Sequence, residues 1–205
     1  CQWSRRGKVH AAATAQGERN LDEYTKGLDA LGEPCTQLDA DATARTLGTH
    51  FYTRAVHTPG CVLMQPAALV RGLARAMPAN VDVYEDSPVV AVDYGATVRA
   101  ETPKGSVTAP RMILCSEAFT PAFGFLADRL FPMYTFASLT RPLDGAEVKA
   151  LGGEGDWGVI PATRGGTTLR YTQDRRILVR NVLKYVPDLF VGDAALGRIR
   201  AHHVR

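Results

Sequence analysis

The sequence predicts an α+β fold: an antiparallel sheet with helices on one face, joined to an incomplete second piece made of a crossover helix, parallel strands and a β-meander. Two regions carry this expectation. Residues 157–162, 167–172 and 176–181 read as three successive strands joined by Arg164-Gly165-Gly166 and Gln173-Asp174-Arg175, as in an antiparallel meander. Residues 81–120, VDVYEDSPVVAVDYGATVRAETPKGSVTAPRMILCSEAFT, give an apolar strand, alternating segments that turn at Gly95 and at 103–105, and a returning apolar run at 112–115. Such a unit needs a preceding strand and a phosphate-binding turn to complete a sheet, and this sequence supplies neither.

The elements follow in order. KVHAAAT, residues 8–14, suits a strand. Residues 17–31 place Leu21, Tyr24, Leu28 and Leu31 at helical spacing before Gly32 stops the helix. A short strand at 36–38 precedes a second helix capped by Asp39 or Asp41 and ending at Leu47-Gly48. Residues 51–58 are extended until Pro59-Gly60 breaks them. Pro66 then fits a first helical turn, Leu69, Val70, Leu73 and Met77 form one apolar face, and Pro78 closes the helix. A helix running straight into a strand at 81–85 is the right-handed crossover pattern. Beyond the meander, residues 121–128 predict a short helix, 130–140 a strand rich in aromatic and β-branched residues, 144–151 a helix, and 193–203 a final helix.

Composition bounds the function. With 205 residues, 45% hydrophobic and 22% charged, the chain can bury a core, and a formal charge of +3 spread along it gives no nucleic-acid or anionic-membrane footprint. No apolar run approaches the ~20 residues of a membrane span. The opening CQWSRRGKVH has neither an initiating Met nor an apolar signal core, so the chain reads as a piece of a longer protein. Cys1, Cys35, Cys61 and Cys115 are widely spaced without a C-x-x-C pair, which suits free thiols in a reducing cytoplasm.

Few motifs carry chemistry. Residues 153–158, GEGDWG, fit G-x-G-x-x-G by letter, but a helix precedes and a strand follows, the reverse of the order that presents a helix N-terminus to a pyrophosphate. They read as a surface loop. His202-His203 reads as an exposed helix terminus, and no metal site is expected. His10, His50 and His57 read as structural histidines. Alternation in 133–138 and 168–172 lets one side of each strand offer Tyr134, Arg170 or Tyr171 to a cavity suited to an amine or carboxylate. On the residues alone, packing aromatics and a solvated Arg170 are the simpler reading.

The blocks RGKVHAAATAQGERNLDEY, CTQLDADATARTLGTHFYTRAVHTPGCVLMQPAALVRGLARAM, SPVVAV, ETPKGSVTAPRMILCSEAFT and LRYTQDRRILVRN, in this order and spacing, resemble the middle of flavin-dependent oxidoreductases of the D-amino-acid oxidase superfamily, in the gamma-glutamylputrescine oxidoreductase-like branch. The resemblance implies a substrate-binding domain at 1–58 and 121–205 interleaved with a partial FAD-binding domain at 59–120. It also implies that the chain starts after the glycine-rich fingerprint and stops before a second flavin contact. By the match, Val89 gives a main-chain contact to the adenine, and Cys115 and Ser116 lie where a strand meets the cofactor. Glu117 stands where many relatives have Gly. Tyr134, Arg170 and Tyr171 become the substrate-binding candidates, and no catalytic residue is assigned. The implied activity of the parent is oxidation of an amine or amino acid by hydride transfer to FAD. The fragment alone is expected to be inactive, without bound FAD, and prone to self-association through the apolar segments at 81–85 and 112–115. The alternative is a non-catalytic binding module sharing the substrate-domain fold.

Overall fold

A computed structural model describes residues 1–203. The elements are β1 (Lys8–Ala12), α1 (Ala15–Leu31), β2 (Thr36–Leu38), α2 (Ala40–Leu47), β3 (Arg54–Thr58), α3 (Pro66–Arg75), β4 (Ala91–Tyr94), β5 (Val98–Thr102), β6 (Gly105–Ala109), β7 (Met133–Leu139), α4 (Gly145–Leu151), β8 (Trp157–Pro161), β9 (Thr168–Tyr171), β10 (Ile177–Tyr185) and α5 (Asp193–His203). The expected α+β class is the one observed.

Seven strands form one sheet in the order β2-β3-β1-β8-β9-β10-β7, and β4-β5-β6 form a separate meander. Within the large sheet β1 and β8 pair in parallel, Val9 opposite Val159, while the β1–β3, β2–β3, β8–β9 and β9–β10 pairs are antiparallel. The chain divides into two compact units. One comprises Cys1–Gly72, Tyr134–Lys184 and the segment from Val191, and the other comprises Leu73–Met133 and Tyr185–Phe190.

Local chemistry sets the helix ends. The Thr14 hydroxyl accepts from the Gly17 N–H and starts α1, and Gly32 ends it at φ 69°. Asp39, rather than Asp41, caps α2. Asp144 and Glu147 form a capping box on α4, and Arg141 grips Glu147 through two bonds of 2.7 Å. That guanidinium, with the Asp144 N–H, holds the Glu147 carboxyl at about 2.

Two hydrophobic clusters sandwich the β1–β3 end of the sheet. Val9, Ala11, Ala55, Trp157, Val159 and Tyr171 point to one face, where Leu47 of α2 and Leu151 of α4 close over them. Ala12 and Val56 point to the other face, where Leu21 and Leu28 of α1 pack with Ala162. Helices thus cover both faces here, because successive strand residues alternate and each face is apolar. Leu21 and Leu47 are fully buried, and truncating either to Ala removes roughly 2–5 kcal/mol.

Three expectations need correction. Residues 81–85 and 112–115 enter no ladder among the described residues, since an apolar run becomes a strand only with a partner in register. The short helix expected at 121–128 is instead a 3-10 segment over Glu117–Phe123, ended by Gly124 at φ 83°. Finally, His203 is not an exposed terminus. Its Nδ1 lies 2.6 Å from Ser138 Oγ and its Nε2 2.6 Å from Asn181 Oδ1, while Asn181 Nδ2 donates to Thr167 Oγ1, so the end of α5 is bound to two strand-borne polar groups.

Candidate functional site

In the unit holding the meander, Val89, Cys115 and Ser116 line one cavity of about 610 Å³ together with Tyr84, Ala100, Val107, Ile113 and Phe123. Its walls come from β5 and β6 and from the irregular segment 112–116. The Ser116 hydroxyl lies 3.1 Å from Thr120 Oγ1, which fixes the start of the 3-10 turn. Beside it Glu117 has φ 47°, the left-handed region where glycine is at ease. The next residue to Val89, Val90, donates to the Glu101 carbonyl at 2.8 Å, whereas the Val89 main chain makes no backbone hydrogen bond among the described residues. An apolar slot with a main-chain edge left unpaired fits the flat base of a nucleotide.

The glycine-rich stretch at 153–158 is not a phosphate-binding turn. It follows α4 and precedes β8, the reverse of the strand-to-helix order, and its glycines serve packing. A Cβ on Gly155 would stand 2.8 Å from the Arg6 guanidinium, and one on Gly158 2.9 Å from Leu63 Cδ2. Arg6 in turn pairs with Asp156 at 3.2 Å and donates to the Glu154 carbonyl. The described residues therefore fit the adenine side of FAD and contain no glycine-rich strand-to-helix turn for its pyrophosphate.

The substrate-side candidates separate. Tyr171 pairs across the ladder with Trp157 and Ile177, is 7% exposed, and its ring centre lies 6.1 Å from that of Trp157. Arg170, the preceding residue, stands on the opposite face, opposite Gly158 and Leu178. Tyr134 shares its parity in β7 with Ser138, whose bond to His203 sets that side with Asn181 and Thr167, away from Arg170. The structure thus puts Arg170 on one face of the sheet and both tyrosines on the other.

Arg170 has company that sequence reasoning missed. Arg180 lies opposite Thr168 in the β9–β10 ladder and donates to its hydroxyl at 3.3 Å, on the same face as Arg170. Thr135, Thr163, Thr168 and Asn181 line a depression of about 270 Å³ beside Arg180. The alternation in RILVRN held the signal, but only the β9–β10 register shows which face Arg180 shares.

On the other face Leu47, Tyr52, Leu151, Trp157, Leu169 and Ile177 surround an apolar cavity of about 630 Å³, and burial pushes the Tyr52 phenol up. His57 is tied by Nε2 to the Arg6 carbonyl at 2.7 Å. All four cysteines are free, and among the described residues no group of three or more His, Cys, Asp and Glu side chains is placed to hold a metal ion. No described helix is long and apolar enough to cross a membrane.

The chain belongs to the FAD dependent oxidoreductase (DAO) family, whose model matches residues 1–201. Its fold is similar to that of glycine oxidase from Geobacillus kaustophilus, with a TM-score of 0.75 at 18% identity over 98% of this chain and 55% of that one. Iminodiacetate oxidase from Chelativorans sp. BNC1 gives 0.69 at 15% identity over 99% and 56%. L-alpha-glycerophosphate oxidase from Mycoplasma pneumoniae, solved with FAD bound, gives 0.72 at 13% over 98% and 56%. The chain therefore spans about half the length of the solved structures it matches. No curated protein matches it.

Proposed function

We propose that this chain is the substrate-side portion of an FAD-dependent oxidoreductase that oxidises an amine or amino acid. The observation that carries the reading is the convergence of Val89, Cys115 and Ser116, separated by more than two dozen residues of sequence, on one apolar cavity. FAD, when bound, supplies the acceptor for the hydride that leaves the carbon bearing nitrogen. Val89 offers main-chain groups to the adenine edge, and Cys115 and Ser116 shape the adjoining turn. Arg170 holds the substrate carboxylate by its guanidinium and so fixes which carbon is presented. Tyr134 and Tyr171, from the far side, keep β7 and β9 in place. Loss of hydride leaves an imine, which water hydrolyses to the carbonyl product and free amine. The chain alone is inactive in this reading, because the described residues offer no glycine-rich turn for the pyrophosphate side of the cofactor.

The test is the visible absorption spectrum of the protein from the complete reading frame beside that of this chain at equal concentration. Flavin bands in the first and none in the second are expected. If both stay colourless after added FAD, the reading fails and a non-catalytic binding module takes its place.

A further inference from the structure

Arg170 and Arg180 share one face of the sheet without an acidic partner. Arg170 stands opposite Leu178 and Arg180 opposite Thr168, so the two are diagonal neighbours across the β9–β10 ladder, roughly 7–8 Å apart at the main chain. Six ion pairs occur among the described residues, and neither arginine enters one. The stem of Arg170 passes beside Gly158, 3.8 Å from where a Cβ would stand, with Leu63 on the same side. Arg180 is steadied by Thr168 Oγ1. Two like charges at diagonal spacing repel, and a dianion bridging them removes that repulsion while filling two forks that each match a carboxylate. The adjoining depression, about 270 Å³, is edged by Arg180, Thr135, Thr163 and Thr168, with Arg170 outside its rim, and lies just below the roughly 300–1,000 Å³ of drug-sized ligand sites, which suits a diacid of a few carbons.

We propose that Arg170 and Arg180 bind the two carboxylates of one small dicarboxylate, one per guanidinium, with the hydroxyls of Thr135, Thr163 and Thr168 beside its backbone. Resting on the reading of this face as the substrate side, the proposal makes the substrate an amine that carries two carboxylates, and Arg180 the residue that selects for the second.

The probe is glutarate, titrated calorimetrically into this chain without flavin, with butyrate as the single-charge comparison. Glutarate is expected to bind at least tenfold more tightly than butyrate. Arg170→Gln and Arg180→Gln should each reduce glutarate binding to the butyrate level, while Arg45→Gln, an exposed residue of α2 that removes the same charge, leaves it unchanged. Arg180→Lys keeps the charge and loses the fork, and should recover part of the affinity. Equal affinity for the two acids, or equal loss in Arg45→Gln, overturns the proposal. Tighter binding of inorganic phosphate than of glutarate also overturns it, in favour of a phosphate site. Because no cofactor is involved, glutarate binding stands or falls separately from the colour of the full-length protein.

Discussion

Arg170 and Tyr171 are consecutive in β9 and stand on opposite faces of the seven-stranded sheet, Arg170 beside the stem space of Gly158 and Tyr171 packed against Trp157. Their replacements should therefore separate stability from binding. Tyr171→Ala empties a site that is 7% exposed and is expected to cost about 3–5 kcal/mol, as large aromatic truncations in cores do. Arg170→Ala is expected to change unfolding free energy by no more than about 0.5 kcal/mol. Urea unfolding of both variants measures this, and comparable losses in the two would mean that Arg170 is part of the core.

Much of this fold is local chemistry and could be read directly. Leu21 and Leu28 at helical spacing, Thr14 and Asp39 before their helices, and Gly32 and Gly48 after them each act within one turn of chain. Relations between distant segments are not written in local pattern. Residues 81–85 and 112–115 have strand composition, yet composition does not provide the neighbour that a ladder requires. Tyr134, Arg170 and Tyr171 do not form one wall, because period-two alternation sets Arg170 and Tyr171 on opposite faces. Arg180 could not be placed beside Arg170 without the register of two strands. The grouping of Val89 with Cys115 and Ser116 came from family-like blocks, since nothing in their local pattern links them.

Gly48 ends α2 at φ 72° with its Cα so close to the end of α4 that a Cβ would lie 2.0 Å from the Leu151 carbonyl oxygen. That oxygen belongs to the main chain and cannot rotate aside. Gly32 ends α1 at nearly the same angle, φ 69°, but with nothing within 4 Å of its Cβ position. Gly32→Ala should therefore cost only the left-handed backbone penalty, roughly 1–2 kcal/mol. Gly48→Ala should cost clearly more, because α2 and α4 must separate. Thermal unfolding of the pair decides it, and equal melting temperatures would show that the α2–α4 approach is easily relaxed.

His10 lies edge-on to Tyr24 with ring centres 4.6 Å apart, and its Nδ1 is buried without a partner. Burial, then the nearby Lys8 ammonium, lower its pKa below 6.5, and the neighbouring Pro161 main chain only partly opposes them. The unfolded chain therefore takes up this proton at a higher pH than the folded chain. Stability from keeping His10 neutral is present above pH 6.5 and is lost as the pH falls below it toward the folded pKa. The urea midpoint should be lower at pH 5.5 than at pH 7.5. His10→Gln should shrink that difference, and an undiminished difference in the variant would assign the effect to other groups.

Ile113 is 87% exposed, Tyr84 71% and Val83 52%, and all three lie on segments that find no strand partner among the described residues. Unpaired main-chain edges flanked by exposed apolar side chains are templates for pairing with another chain, and a second copy presents the same segments. The chain is expected to self-associate in a concentration-dependent way. Val83→Lys and Ile113→Lys place charge on each segment, where desolvating an ammonium opposes pairing, and should shift the population toward monomer without lowering the unfolding midpoint, since neither side chain is buried in the core. Sedimentation velocity across a concentration series measures the effect. A wild-type chain that stays monomeric at every concentration would show that these edges are already protected within the molecule, and association unchanged in both variants would move the contact to another surface.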